Sequence, residues 1–172
     1  MTEETWQESI VRLMKERGVA QVAYVPDAGH SHAIRAVEAD PEIEAVVLTT
    51  EEEGVALVCG AHLGGDRAVL LMQSSGVGNC VNMFSLLTAC QFPFLTLVTM
   101  RGEYAEFHPW QVPMGRAVPE AFEMMGVKVM RADKAEDVAP TIAAAMTTAF
   151  DANDRVAVLL GQKLIGAKNW NE

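Results

Sequence analysis

Along the chain, segments with an apolar stripe every three to four positions alternate with short, continuously apolar runs. The first segment, WQESIVRLMKER, gathers Trp6, Ile10, Leu13 and Met14 on one face and predicts an amphipathic helix that Gly18 terminates. Six apolar runs follow: AQVAYVP, EAVVLTT, AVLLMQ, FLTLVTM, VKVMRA and RVAVLLG. None shows the polar alternation of a half-exposed antiparallel sheet, so each predicts a strand buried on both faces, as in a parallel sheet. The segments between them, HSHAIRAVEA, EEEGVALVCGAHL, VGNCVNMFSLLTAC, PEAFEMMG and AEDVAPTIAAAMTTAFDAND, mostly carry helical periodicity with polar or glycine punctuation. The pattern predicts an α/β fold: an open six-stranded parallel sheet with helices on both faces. No repeat or linker interrupts it, so residues 1–172 are expected to form a single domain.

The longest irregular piece, RGEYAEFHPWQVPMGRAVP, exceeds an ordinary connection and predicts a functional loop or lid. Ligands of open α/β sheets lie beyond the carboxyl ends of the strands. Four segments that follow apolar runs carry unusual residues there: VPDAGHSH, TTEEEG, QSSGVGN and RGEYAEFHPWQ.

Charge narrows the partners. A formal charge of -10 disfavours nucleic acid, whose phosphates need a clustered basic surface. No apolar stretch reaches the roughly 18 residues of a membrane span, and the acidic, amphipathic start lacks the basic region and apolar core of a secretion signal. A cytoplasmic protein without a membrane partner is the expectation. Cys59, Cys80 and Cys90 form no CxxC pair and lie in apolar segments, which predicts a packing role.

Each candidate motif has a plain alternative. QSSGVGN has neither the GxxxxGKS/T nor the GxGxxG spacing of a nucleotide loop. It reads either as a capped turn or as a strand-to-helix turn where Gly76 and Gly78 admit a ligand and Ser74, Ser75 and Asn79 offer hydrogen bonds. His30 and His32, two apart, point to different helix faces, and with no further ligand cluster no metal site is expected. His62, in an apolar helix, reads as a core histidine. His108 is a site candidate or a surface residue. Arg101 offers a cation to an oxyanion, or pairs with Glu103 or Glu106. No nucleophile elbow GxSxG occurs, so hydrolase chemistry has little support.

Taken together and in order, VPDAGHSH, TTEEEGVALVCGAHLGG, AVLLMQSSGVGNCVN and RGEYAEFHPWQVPMGRA resemble the pyrimidine-binding domain of thiamine diphosphate enzymes. Within it they are similar to the alpha subunits of sulfopyruvate decarboxylase and their phosphonopyruvate decarboxylase relatives, over about residues 5 to 160. The resemblance implies a glutamate at the start of the second crossover helix that hydrogen-bonds N1′ of the cofactor's aminopyrimidine. By its position ahead of Gly54, Glu52 is expected to fill that role. Desolvation by Val55, Ala56 and Cys59 is expected to raise its pKa, while Glu51 and Glu53 are expected to be solvated or to cap the helix. The resemblance further implies that Ser75, Gly76, Asn79 and Gln111 bind cofactor. It places Asp27, Gly29 and His30 facing substrate; by charge and position, Arg101 and His108 are candidates for the substrate's acidic tail. Ser74 stands where relatives commonly carry asparagine.

The family's diphosphate-binding domain holds a divalent ion through a GDG motif, which this chain lacks; its Gly64, Gly65 and Asp66 fall inside the pyrimidine-domain match. A beta subunit supplying the diphosphate site and Mg2+ is therefore expected, in a hetero-oligomer. The implied activity is decarboxylation of a small acidic 2-oxo acid such as sulfopyruvate or phosphonopyruvate. Carboligation by the same cofactor, or a non-catalytic module that kept the fold, are the alternatives.

Overall fold

In the computed structural model, which describes residues 4–166, all six apolar runs are strands of one sheet. They are β1 (Val19–Tyr24), β2 (Glu44–Val47), β3 (Arg67–Gln73), β4 (Phe94–Thr99), β5 (Lys128–Ala132) and β6 (Arg155–Leu160). Every pairing is parallel, in the order β2-β1-β3-β4-β6-β5. The chain moves outward from β1 to β2 and then returns past β1 to β3, so the topological switch point lies between β1 and β3. Ligand crevices form at such points.

Successive strand residues face opposite sides, which explains why the runs are apolar throughout. On one side Val69 and Leu71 of β3 and Val156 and Val158 of β6 meet α1 (Trp6–Glu16), α2 (Ser31–Glu38) and α7 (Ala135–Met146) through Ile10, Met14, Val37, Ile142 and Met146. On the other, Leu70, Met72 and Leu159 meet α3 (Glu51–Gly64), α4 (Ser74–Cys80), α5 (Phe84–Cys90) and α6 (Val112–Met124). Phe84 anchors this second layer, 5.1 Å from the Phe122 ring and 5.9 Å from that of Phe94. Removing such a ring costs about 3–5 kcal/mol. Helix α1 begins with a capping box in which Thr5 and Glu8 satisfy each other's backbone N–H groups.

Three sequence expectations change. The expected helix over 77–90 is two helices, broken at 81–83, and the first begins at Ser74, directly off β3. The glycines of QSSGVGN are therefore helical, and neither has positive φ. The long loop is half its expected length. A 3-10 turn starts at Pro109 and α6 at Val112, with Pro113 in its first turn, where a missing N–H costs nothing. Helix α7 continues into a π-helical turn, Thr147–Asp151, and a short α8 (Gln162–Ile165) follows β6. Among the described residues no helix is long and apolar enough to cross a membrane.

Candidate active site

At the switch point the carboxyl ends of three strands are tied by one carboxylate. Asp27, just past β1, accepts a hydrogen bond from the Gln73 amide at 2.9 Å and from the Thr99 hydroxyl at 2.6 Å. Ser75 donates in turn to Gln73 Oε1 at 3.1 Å. Gly29 admits this closeness: a Cβ there would lie 2.7 Å from the Thr99 methyl. Asp27, Ala28, Gly29, Thr99, Arg101 and Phe107 line a cleft of about 200 Å³. Asp27 and Gly29 thus lie in the turn after β1, on the wall of this cleft.

The three glutamates at the start of α3 separate cleanly. Glu53 folds back to accept the Thr49 backbone N–H at 2.9 Å, and Glu52 accepts the Thr50 hydroxyl. That bond, followed by Glu52's own backbone N–H, holds the Glu52 carboxyl below its ordinary pKa. Both side chains cap the helix. Glu51 points inward: it is 8% exposed and accepts from Asn79 Nδ2 at 2.8 Å through Oε2. Its carboxyl lies flat against Gly76, where a Cβ would come within 2.3 Å of Cδ and Oε1. Among the described residues no cation pairs with Glu51 and no hydrogen bond reaches its Oε1.

The desolvation expected at Glu52 is therefore at Glu51, a correction of one residue. Glu51 leads the buried stripe Gly54, Val55 and Val58, at intervals of three, four and seven, whereas Ala56, assigned to Glu52's face, is exposed. Gly54 fixes the phase, because a Cβ there would meet Leu70 at 2.4 Å and Leu48 at 2.8 Å. Cys80 is buried beside this carboxylate, and burial, with the charges of Glu51 and Glu52, pushes its thiol pKa up.

The loop from 101 to 108 is built around a second carboxylate, Glu106, whose side chain is 4% exposed. Arg101 donates to it from Nε at 2.8 Å and from Nη2 at 2.5 Å. The backbone N–H groups of Gly102 and His108 add bonds of 3.0 and 2.8 Å, and the Gln162 amide one of 2.8 Å. Burial would raise this acid's pKa, but Arg101 and the other donors outweigh it and hold it at about 2. Gln162 Oε1 also receives the N–H groups of Glu103 and Tyr104. Of the readings left open for Arg101, the ion pair with Glu106 is the one present; Glu103 pairs with Arg131. So fastened, the loop holds Ala105 at φ 46°, a left-handed conformation that disfavours a residue with a Cβ.

His108 sits half-buried between the Phe107 and Trp110 rings, at 5.1 and 5.7 Å, on the outer side of this loop. His30 departs from its expected place facing substrate. It is 2% exposed, its Nε2 is 3.0 Å from the Leu97 carbonyl, and burial pushes its pKa down. Gln111 is buried at the entry to α6 with its Oε1 unpartnered. His62 is exposed and stacks edge-on with Phe92 at 5.9 Å, so it is not a core histidine. Cys90 is exposed too, whereas Cys59 and Cys80 pack in the core as expected. Gly65 caps α3 with φ 91° at the amino edge of the sheet, so the Gly64–Asp66 stretch lies away from the site.

Sequence reasoning missed Glu51, Gln162, Gln73 and Thr99, whereas Glu106 was one of the two partners it offered Arg101. For Glu51 the signal was available in its spacing to Gly54. For the other three the contacts are long-range, and a single sequence holds no sign of them.

What the geometry offers chemically is a buried carboxyl group with one oxygen held and the other uncommitted, on a bare helical backbone, beside a small polar cleft. Such a group can exchange a hydrogen bond with a flat heterocycle's ring nitrogen, and Gly76 leaves room for the carboxyl to lie against α4.

No protein-family model matches the chain. It is 33% identical over 154 residues to sulfopyruvate decarboxylase subunit alpha of Methanothermobacter thermautotrophicus, covering 89% of this chain and 93% of that one. It is 34% identical over 109 residues to phosphonopyruvate decarboxylase of Streptomyces viridochromogenes, 62% of this chain and 28% of the relative. Among solved structures, a thiamin diphosphate-dependent enzyme from Mycobacterium smegmatis superposes with a TM-score of 0.72 at 18% identity. That match covers 94% of this chain and 31% of the other, and it bears on the fold alone.

Proposed function

Because the chain belongs to the family of sulfopyruvate decarboxylase alpha subunits, we propose that it is the pyrimidine-binding subunit of a two-subunit, thiamine diphosphate-dependent decarboxylase. Its substrate is a small acidic 2-oxo acid, sulfopyruvate or phosphonopyruvate. The observation that carries this reading is the Glu51 carboxyl: shielded, bonded through one oxygen to Asn79, and with no counter-cation among the described residues. An isolated buried charge is costly, and a hydrogen-bonding heterocycle relieves that cost. The residues present therefore fit the pyrimidine half of the cofactor, with Glu51 in the role first expected of Glu52.

Bound thiamine diphosphate supplies a ring that stabilises the negative charge left when a 2-oxo acid loses carbon dioxide. The protein's share is positional. Glu51 holds or releases a proton at the oxygen turned to the pyrimidine. The α4 backbone at Gly76 beds the Glu51 carboxyl, and Ser75 beside it would line the pyrimidine pocket. Asp27, fixed by Gln73 and Thr99, orients groups in the cleft. Gln111 keeps an acceptor free for cofactor or substrate. Arg101 is committed to Glu106, so it shapes the cleft wall instead of serving the acidic tail alone. The partner beta subunit holds the diphosphate and its Mg2+. Loss of carbon dioxide and uptake of one proton at the carbonyl carbon give an aldehyde, sulfoacetaldehyde from sulfopyruvate.

The test is reconstitution with the copurifying partner subunit, thiamine diphosphate and Mg2+, followed by product analysis on sulfopyruvate, phosphonopyruvate and pyruvate. Carbon dioxide and the matching aldehyde from one of the two acidic substrates, abolished when the cofactor is omitted, is the expected result. Condensed products alone would reassign the subunit to carboligation. No turnover on any of the three would leave a non-catalytic module.

A further inference from the structure

Resting on the assignment of Glu51 above, we infer that Asn79 is a positioning residue that anchors one oxygen of the Glu51 carboxyl so that the other is turned to the cofactor. Asn79 and Gly76 are three apart on α4 and so share one face of that helix, the face on which the Glu51 carboxyl rests. The two contacts do different things. Gly76 sets the plane, because Cγ, Cδ and Oε1 of Glu51 all lie within 2.4 Å of where a Cβ would be and the group can only lie flat. Asn79 anchors one end of that plane, because its amide donates to Oε2 at 2.8 Å and leaves Oε1 without a donor among the described residues.

The amide chemistry matters. An ionised carboxylate only accepts hydrogen bonds, so the neighbour must donate, and an amide does so without adding a charge that would compete with the cofactor for the carboxylate. Aspartate, the same shape without the donor, would set two carboxylates against each other. The remaining side chains on this carboxyl, Cys80 above all, are packing atoms that offer no comparable donor. Among the described residues no other hydrogen bond holds the carboxyl, and a misdirected catalytic group is costly to rate even when displaced by about 1 Å.

The experiment is a double-mutant cycle in the reconstituted two-subunit enzyme, reading kcat, the KM for 2-oxo acid and the dissociation constant for thiamine diphosphate. Asn79→Ala is expected to lower kcat about tenfold with less than a threefold change in the KM for 2-oxo acid, and isosteric Asn79→Asp to lower kcat further. In a Glu51→Gln background, Asn79→Ala should change kcat by less than about twofold, because the group it positions is gone. Equal loss in both backgrounds, or wild-type turnover in Asn79→Asp, would overturn the positioning role while the Glu51→Gln result stands by itself. Wild-type turnover in Glu51→Gln would instead remove the assignment on which the inference rests. If Asn79→Ala does not assemble with the partner, Asn79→Asp carries the same comparison without loss of volume.

Discussion

Two glutamates of this chain are buried to nearly the same degree, and their surroundings are opposite. Glu106 is met by a guanidinium, two backbone N–H groups and an amide, so every lone pair that faces the protein is used. Glu51 is met by one amide and the bare backbone of a glycine. A saturated carboxylate in a protein interior is a fastener: its charge is stabilised and its pKa driven down, and it has nothing left with which to react. A carboxylate with one oxygen open is incomplete among the described residues, and a ligand's hydrogen-bonding group can complete it. Burial alone therefore does not distinguish a catalytic acid from a structural one; the count of donors does.

This contrast can be broken at either end, and the largest effect belongs to the fastener. Glu106→Gln leaves the Arg101 guanidinium uncompensated in a largely closed setting and should cost about 3–5 kcal/mol of unfolding free energy, read by denaturant titration. The same group predicts acid behaviour. Its folded pKa, about 2, lies below its ordinary value of 4.5, so its stabilising contribution is complete above pH 4.5 and is lost as the pH falls towards 2. Acid unfolding of Glu106→Gln should therefore lack this limb. Buried, neutral His30 adds an earlier decline: its folded pKa lies below 6.5, and stability begins to fall as the pH drops below that value.

Glu51→Gln should do the reverse, leaving stability within about 1 kcal/mol of the native chain and lowering turnover of the reconstituted enzyme by on the order of 10²-fold. Smallest of all is Glu52→Gln, a capping residue by its contacts. It should change turnover by less than about threefold and leave the unfolding midpoint nearly unchanged, since only a first-turn carboxylate is lost. A large activity loss in Glu52→Gln with none in Glu51→Gln would reverse the assignment.

Much of the fold was legible because the physics that makes it is local. Six continuous apolar runs can only be strands covered on both faces, and the structure has all six. The long loop was drawn too long because the chain re-enters a helix at Val112, with Pro113 in an opening turn that tolerates proline and Pro119 within α6 itself. The site was half legible. Asp27, Gly29, Ser75, Gly76 and Asn79 gather at the carboxyl edge, but the choice among three consecutive glutamates depended on helix phase. Helix α3 is apolar almost all round, which blurs that phase; an error of one position turns a side chain by about 100°. Contacts such as Gln162 with the loop at Glu103 and Tyr104 join positions 58 and 59 residues apart, and no periodicity encodes them.

The missing side chain at position 76 has a consequence for descent. A glutamate resting on a bare α-carbon and steadied by an amide one turn later is a three-part unit, and none of its members is useful when inherited without the others. Copies of this gene that drift away from enzymatic work should lose the glycine as freely as the acid, so a lineage keeping Glu51 beside a bulkier residue 76 would mark a protein already retired from its ancestral trade.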